Sequence, residues 1–168
     1  MNMVSLLHAC EWLGATGPSV MIRESAWTYP IINSAHVLGV AWFAGLVLFL
    51  DLRLIGAAMV DVPVSEVQRG LWPLTIAGFS AMVITGTLLF YSDPVRFYGN
   101  VFFWIKIALM AVAAVNAWIF HRTVFRRVAD WDRDAATPFR ARLAGGVSLV
   151  LWAAIIAAGR LIAYNWFS

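Results

Sequence analysis

Three basic side chains stand in stretches that are otherwise apolar: His36, Lys106 and Arg160. An ionisable group inside a membrane span costs about 2.5–3.5 kcal/mol on insertion scales, so each is a functional candidate. A neutral imidazole can ligate a metal, while an ammonium and a guanidinium can hold an anion. No acidic residue lies within a span at their level, and Glu24 is the closest one in sequence. Such a cluster needs an anionic partner, or its members must give up protons. Haem b meets that need, with His36 on the iron and Lys106 and Arg160 on the propionates, or with Lys106 as the sixth ligand. Gly39, three residues from His36, would let a macrocycle approach, as would Gly45. Each group also has a plainer reading. His36 alone could hydrogen-bond one helix to another, and Lys106 or Arg160 alone could snorkel to the headgroups.

The elements that must position these groups follow from composition. Of 168 residues, 62% are hydrophobic and 12% are charged, and the mean hydropathy is +0.79. A soluble domain carries about twice that charge, so a soluble enzyme is excluded. Aromatic residues at 14% exclude disorder. A single cysteine, Cys10, excludes a disulfide scaffold and cysteine-based zinc sites. Nucleotide, phosphate-loop and nucleic-acid motifs are absent from the sequence.

Charge-free runs predict four transmembrane helices, roughly 26–55, 70–91, 101–125 and 139–165. Short links make sequential spans antiparallel, so the expected fold is all-α, a four-helix transmembrane up-down bundle forming one domain over 1–168. Residues 1–22 read as an interfacial segment. In it Met3, Leu6, Leu7, Cys10 and Leu13 line one face of a short amphipathic helix that ends at Thr16-Gly17-Pro18. No basic leader precedes this stretch, and Glu11 interrupts it, so it is not read as a signal peptide.

Orientation follows from arginine. Arg53, Arg69, Arg122, Arg126, Arg127, Arg133, Arg140 and Arg142 fall on the side of the first and third links, against Arg23 and Arg96 on the other. That bias puts both termini in the periplasm of a bacterial inner membrane. Trp27, Tyr29, Tyr91, Tyr98, Trp104, Tyr164 and Trp166 mark the outer ends as an aromatic belt. His36, Lys106 and Arg160 then converge in the outer half.

His121 belongs elsewhere. It is about 20 residues into the third span, near the inner surface, where pairing with Asp51 is the plainer expectation. The rise per residue separates it from His36 by about 15 Å, which disfavours a single haem held by both unless the helices slide or tilt strongly, and His121 would ligate a second cofactor or do another job. Lys106, Met110, Ala113, Ala117 and His121 share one helix face. Asn116 is expected to make one interhelical hydrogen bond. Ala113/Ala117, Ala153/Ala157 and Ala154/Ala158 suit close packing and would permit homo-oligomers. His8 reads as a solvated residue.

The run from His36 to Gly45 with Asp51-Leu52-Arg53 resembles the first-helix signature of CopD-like membrane proteins and of HemJ-type protoporphyrinogen oxidases. Trp104-Ile105-Lys106 resembles the Trp–x–Lys helix of the HemJ type, a haem b protein. That resemblance implies His36 as axial ligand and Lys106 as a cofactor-site residue. Nearly the full length is similar to an uncharacterised family of bacterial four-helix membrane proteins, a domain of unknown function. The matching segments run from Arg23 through Pro30, Val62 through Glu66, Phe120-His121-Arg122, and Arg160 through Trp166.

These observations favour a haem b membrane protein in electron transfer or a small oxidoreductase reaction, fed by quinol from the bilayer or by a periplasmic redox partner. Two rivals are a copper or metal transporter and a non-catalytic subunit or assembly factor. Soft copper wants Met or Cys ligands, and Met82 and Met110 lie in spans two and three. For a subunit, the link with Trp131, Asp130, Asp132 and Asp134 could dock a partner, although a solvated segment is the simpler expectation.

Overall fold

The computed structural model describes residues 3–132, 134 and 136–164. Arg133, Asn165, Trp166 and the side chain of Met3, used above, lie outside the described residues. The described chain is helical throughout, with no strand. Two short helices, α1 (Met3–Gly14) and α2 (Gly17–Glu24), precede the long helices α3 (Thr28–Ile55) and α4 (Val64–Ser92). A short helix α5 (Pro94–Tyr98) leads to α6 (Val101–Ile119), and α7 (Phe139–Leu161) follows. Beyond α6 the chain winds on through a π turn, Phe120–Val124, and a 3-10 turn, Phe125–Asp130. Four helical stretches are long and apolar enough to cross a membrane: Thr28–Ile55, Val64–Ser92, Val101–Asp130 and Phe139–Tyr164. The chain is a multi-pass membrane protein by that measure. Its exposed side chains in these stretches include Leu38, Trp42, Ile84, Val112, Val115 and Val150, an apolar exterior suited to lipid.

Local chemistry fixes the helix ends. At the start of α3, Ser25 Oγ accepts from the Trp27 and Thr28 amides. At its end Gly56 takes φ 82°, a left-handed turn natural to glycine. Asn100 starts α6 by accepting from the Phe102 and Phe103 amides, while its own amide donates to the Ile162 carbonyl beyond α7. Ser19 donates to the Tyr91 and Ser92 carbonyls, tying α2 to the end of α4. The starts of α3 and α6 and the ends of α4 and α7 therefore share what we call the α5 end.

The opposite, arginine-rich end holds the best-packed core. Leu54, Val64, Phe120, Trp131 and Ala141 are buried together there. In the link between α6 and α7, Val124, Phe125, Val128 and Trp131 pack onto this core, while Arg126, Arg127, Asp130 and Asp134 stay exposed. Trp131 is 8% exposed and donates to the Val124 carbonyl. Asp132 accepts from the amide and hydroxyl of Ser65, supplying the acceptor that the first turn of α4 lacks. Buried Arg53 donates to the Val62 carbonyl and to Thr137. These bonds explain why α4 begins six residues before the expected start: Val64-Ser65-Glu66 is its first turn, not a linker. The N-terminal segment forms two helices, Met3–Gly14 and Gly17–Glu24, rather than one, because Pro18 favours a new helix start.

The helices do not close evenly. α3 packs on α4 and on α7, and α7 packs on α6, while α4 and α6 stay apart along most of their length. Small residues allow the close approaches. A methyl at Gly78 would come 3.0 Å from Trp42, and one at Gly145 would come 3.0 Å from Leu54. Near the α5 end, Phe90 stacks on Phe103 at 5.6 Å and bridges the gap between α4 and α6. Toward the arginine-rich end the gap is open.

Candidate functional site

His36 lies eight residues into α3 and is half-buried. Its Nδ1 is 3.0 Å from Thr85 Oγ1 on α4. The Thr85 hydroxyl has one proton, which it donates to the Ala81 carbonyl at 2.6 Å. In the Nδ1–H tautomer of His36, the Thr85 oxygen accepts from the ring. The Met82 carbonyl is a further acceptor for the same ring. In that tautomer Nε2 carries the lone pair. Gly86 provides the flat bed beneath the imidazole: a methyl there would stand 3.0 Å from His36 Cε1.

Lys106 lies within electrostatic range of His36. Its ammonium rests against Gly159 of α7, where an added methyl would be 3.5 Å from Nζ. No described residue gives it a hydrogen bond or ion pair. Arg160 is not brought into this pair. It is exposed, donates to the Tyr164 hydroxyl at 3.3 Å, and sits 5.4 Å over that ring. Gly39 faces the Met82 backbone at 3.5 Å, so it serves the α3–α4 contact, and Gly45 meets nothing within 4 Å.

A second constellation occupies the gap between α4 and α6 at the arginine-rich end. A cavity of about 540 Å³ opens there, half enclosed, with Phe43, Trp72, Phe79 and Phe120 among its walls. Asp51, Gln68, Asn116, His121 and Ser148 also line it. His121 sits in the π turn, an irregularity that is frequent at functional sites. Its Nδ1 donates to the Ala117 carbonyl at 2.8 Å, so Nε2 accepts from the Gln68 amide at 2.9 Å. The partner of His121 is thus Gln68, not Asp51. Asp51 is 4% exposed, with the Ser148 side chain beside its carboxyl group. Two buried oxygens, Asp51 Oδ2 and Gln68 Oε1, have no hydrogen-bond partner among the described residues. Asn116 donates to the Ala144 carbonyl on α7, the interhelical bond expected of it. A shallower depression of about 620 Å³, along Ile55 and α7, has Arg142 as its one charged lining residue and no histidine.

With both sites placed, the comparison with known families is direct. The chain belongs to the family of unknown function DUF6644. The match runs over residues 25–165, which takes in all four long helices and both constellations. No curated protein and no solved structure matches the chain.

Sequence reasoning reached His36, Lys106 and His121 because charge inside an apolar run is conspicuous. It missed Thr85, Gly86, Gln68 and Ser148. Thr85-Gly86-Thr87 is a polar interruption in the second span and was the available signal. Gln68 escaped notice because the span was expected to begin at 70. Among the described residues no three His, Cys, Asp or Glu side chains gather as a metal site, so any metal here would be held through a cofactor or by few protein ligands.

Proposed function

We propose that this family member binds haem b at His36 and works in electron transfer or a small oxidoreductase reaction. The observation that carries the reading is the hydrogen bond from His36 Nδ1 to Thr85. Metal-bound histidines are commonly oriented in this way, with the second nitrogen presented to the metal. The donor set suits the group: a neutral imidazole for iron, and a partnerless ammonium at Lys106 for a propionate. Bound haem would supply reversible one-electron chemistry at iron. The chain's own residues have simpler tasks. Thr85 and Gly86 hold the imidazole, Lys106 holds an anion, and Phe90, Phe97 and Phe103 keep water out of that end. Arg160 is held by Tyr164, so Lys106 is the stronger anchor. His121 could ligate a second group only by displacing Gln68.

The same reading places the long helices as an up-down bundle in a bacterial inner membrane, with both termini periplasmic. Its support is the arginine bias between the two ends. The N-terminal segment then lies on the outer surface, with Trp12 and Met21 exposed as interfacial anchors. The CopD-like and HemJ-like motifs around His36 and Lys106 add to the case.

An optical spectrum of detergent-purified protein, before and after dithionite, tests the proposal. A Soret band that shifts on reduction and vanishes in His36→Ala is expected. Well-folded protein with a full haem content in His36→Ala would refute the ligand assignment. Stoichiometric copper without iron would favour transport instead.

A further inference from the structure

We propose that the groove along α7 at the arginine-rich end binds one anionic phospholipid, its phosphate held by Arg142 and an acyl chain laid along the helix. The inference goes beyond haem at His36 and does not require it. The groove is apolar except at one end. Phe139, Leu143, Val147 and Val150 of α7 line it together with Ile55 of α3. These α7 positions recur every three or four residues and so form one stripe. Phe139 and Val150 are 74% and 69% exposed, so the stripe faces outward, not into the bundle. At Gly146 the groove is open: a methyl there would meet nothing within 4 Å. From Arg142 to Leu151 it runs nine residues, about 14 Å at the helical rise. One leaflet of hydrocarbon is about 15 Å deep, half of a core about 30 Å thick. The groove therefore has the length of one chain in one leaflet.

The charge lies at headgroup level. Arg142 is in the first turn of α7, three residues after the membrane-length stretch begins at Phe139. Its side chain is exposed and makes no hydrogen bond or ion pair with a described residue. Arg53, which also reaches this helix start, is already engaged by the Val62 carbonyl and Thr137. In addition α7 begins without a side-chain cap, so its first amides add partial positive charge at the same end. A free positive charge above an apolar stripe is complementary to a phosphodiester with its chains below it. A second copy of this chain fits less well. Two copies crossing a membrane share one orientation, so an isologous contact along this stripe sets Arg142 close to Arg142. Like charges with no acid between them disfavour that contact.

Native mass spectrometry of the full chain in detergent, titrated with lipid, tests this. The probes are dioleoyl phosphatidylglycerol, dioleoyl phosphatidylcholine with the same chains, and glycerol phosphate as a soluble anion. One phosphatidylglycerol per chain is expected to bind about fivefold tighter than phosphatidylcholine, the size of one arginine's attraction to an anionic lipid. Arg142→Gln should erase that preference. Arg140→Gln removes an exposed arginine of the same turn that lies outside the groove, and should keep it. That control separates a site from the diffuse charge of this end. Gly146→Leu fills open space on a helix, so the fold is kept, and it should weaken both lipids severalfold. His36→Ala should bind lipid unchanged, so failure here is distinguishable from failure of the haem reading. Equal affinity for the two lipids, equal losses in Arg140→Gln and Arg142→Gln, or unaltered binding in Gly146→Leu would overturn the inference. So would glycerol phosphate displacing the lipid, which would mean an anion site without the groove. A dimer that Gly146→Leu dissociates would overturn it too, giving the groove to a second copy.

Discussion

The two ends of the same four helices carry opposite deficits. At the α5 end a lysine, Lys106, stands beside His36 with no acid among the described residues to meet it. At the arginine-rich end a carboxylate, Asp51, has one oxygen without a donor among the described residues. They cannot cancel: Asp51 is fifteen residues from His36 on one helix, about 22 Å at the α-helical rise. The ends also differ in packing. Aromatic rings bridge α4 and α6 at the first, while the second is open between them. The lesson is that one bundle can carry two chemically distinct deficits, one of an anion and one of a donor.

The largest expected effect breaks the first site outright. His36→Ala should remove essentially all haem absorbance, with circular dichroism unchanged. Close behind it, Gly86→Val places a branched side chain where even a methyl would stand 3.0 Å from the imidazole. Haem content should fall severalfold there, as measured by haemochrome assay. Gly86→Val with normal haem would mean that His36 reaches its partner from another direction.

Thr85→Ala sharpens the comparison further, because it acts only through the orientation of His36. Removing such an outer-shell partner typically costs about 10–100-fold in affinity. Thr85→Ser should restore both affinity and reduction potential, since the hydroxyl remains. Lys106→Met should weaken haem retention by a smaller factor and shift the potential, while Lys106→Arg should keep the charge and most of the haem. An unchanged potential in Lys106→Met would remove Lys106 from the site.

The smallest effect concerns the scaffold of the second end. Asp132→Ala removes the acceptor for the Ser65 amide at the start of α4. Loss of a helix-capping acceptor costs about 1 kcal/mol. The melting temperature should drop by a few degrees, with haem content unaltered. A change in haem without a change in melting would show that the two ends are coupled.

The four long helices were legible in the sequence because a span needs only length and apolarity. What was not legible depends on three-dimensional accounting of hydrogen bonds. Val64-Ser65-Glu66 looked like a linker because its cap, Asp132, lies 67 residues away. The link carrying Trp131 looked solvated because its charges hide a buried indole. His121 looked ready to meet Asp51, but the Ala117 carbonyl and Gln68 take both of its nitrogens. The pairing of His36 with Thr85 required knowing which face of α4 meets α3, and the threonine by itself is an ordinary span residue. Arg160 looked convergent in depth, yet depth alone does not fix direction, and Tyr164 one turn on holds its guanidinium.

The central claim is that His36 presents Nε2 to a haem iron. Resonance Raman and optical spectra of the reduced protein, recorded for wild type and Thr85→Ala side by side, test it most directly. The account predicts a haem signature in wild type whose iron–histidine environment shifts when the Thr85 hydroxyl is removed. Haem spectra identical in the two proteins, or no haem in well-folded wild type expressed with haem available, would contradict it.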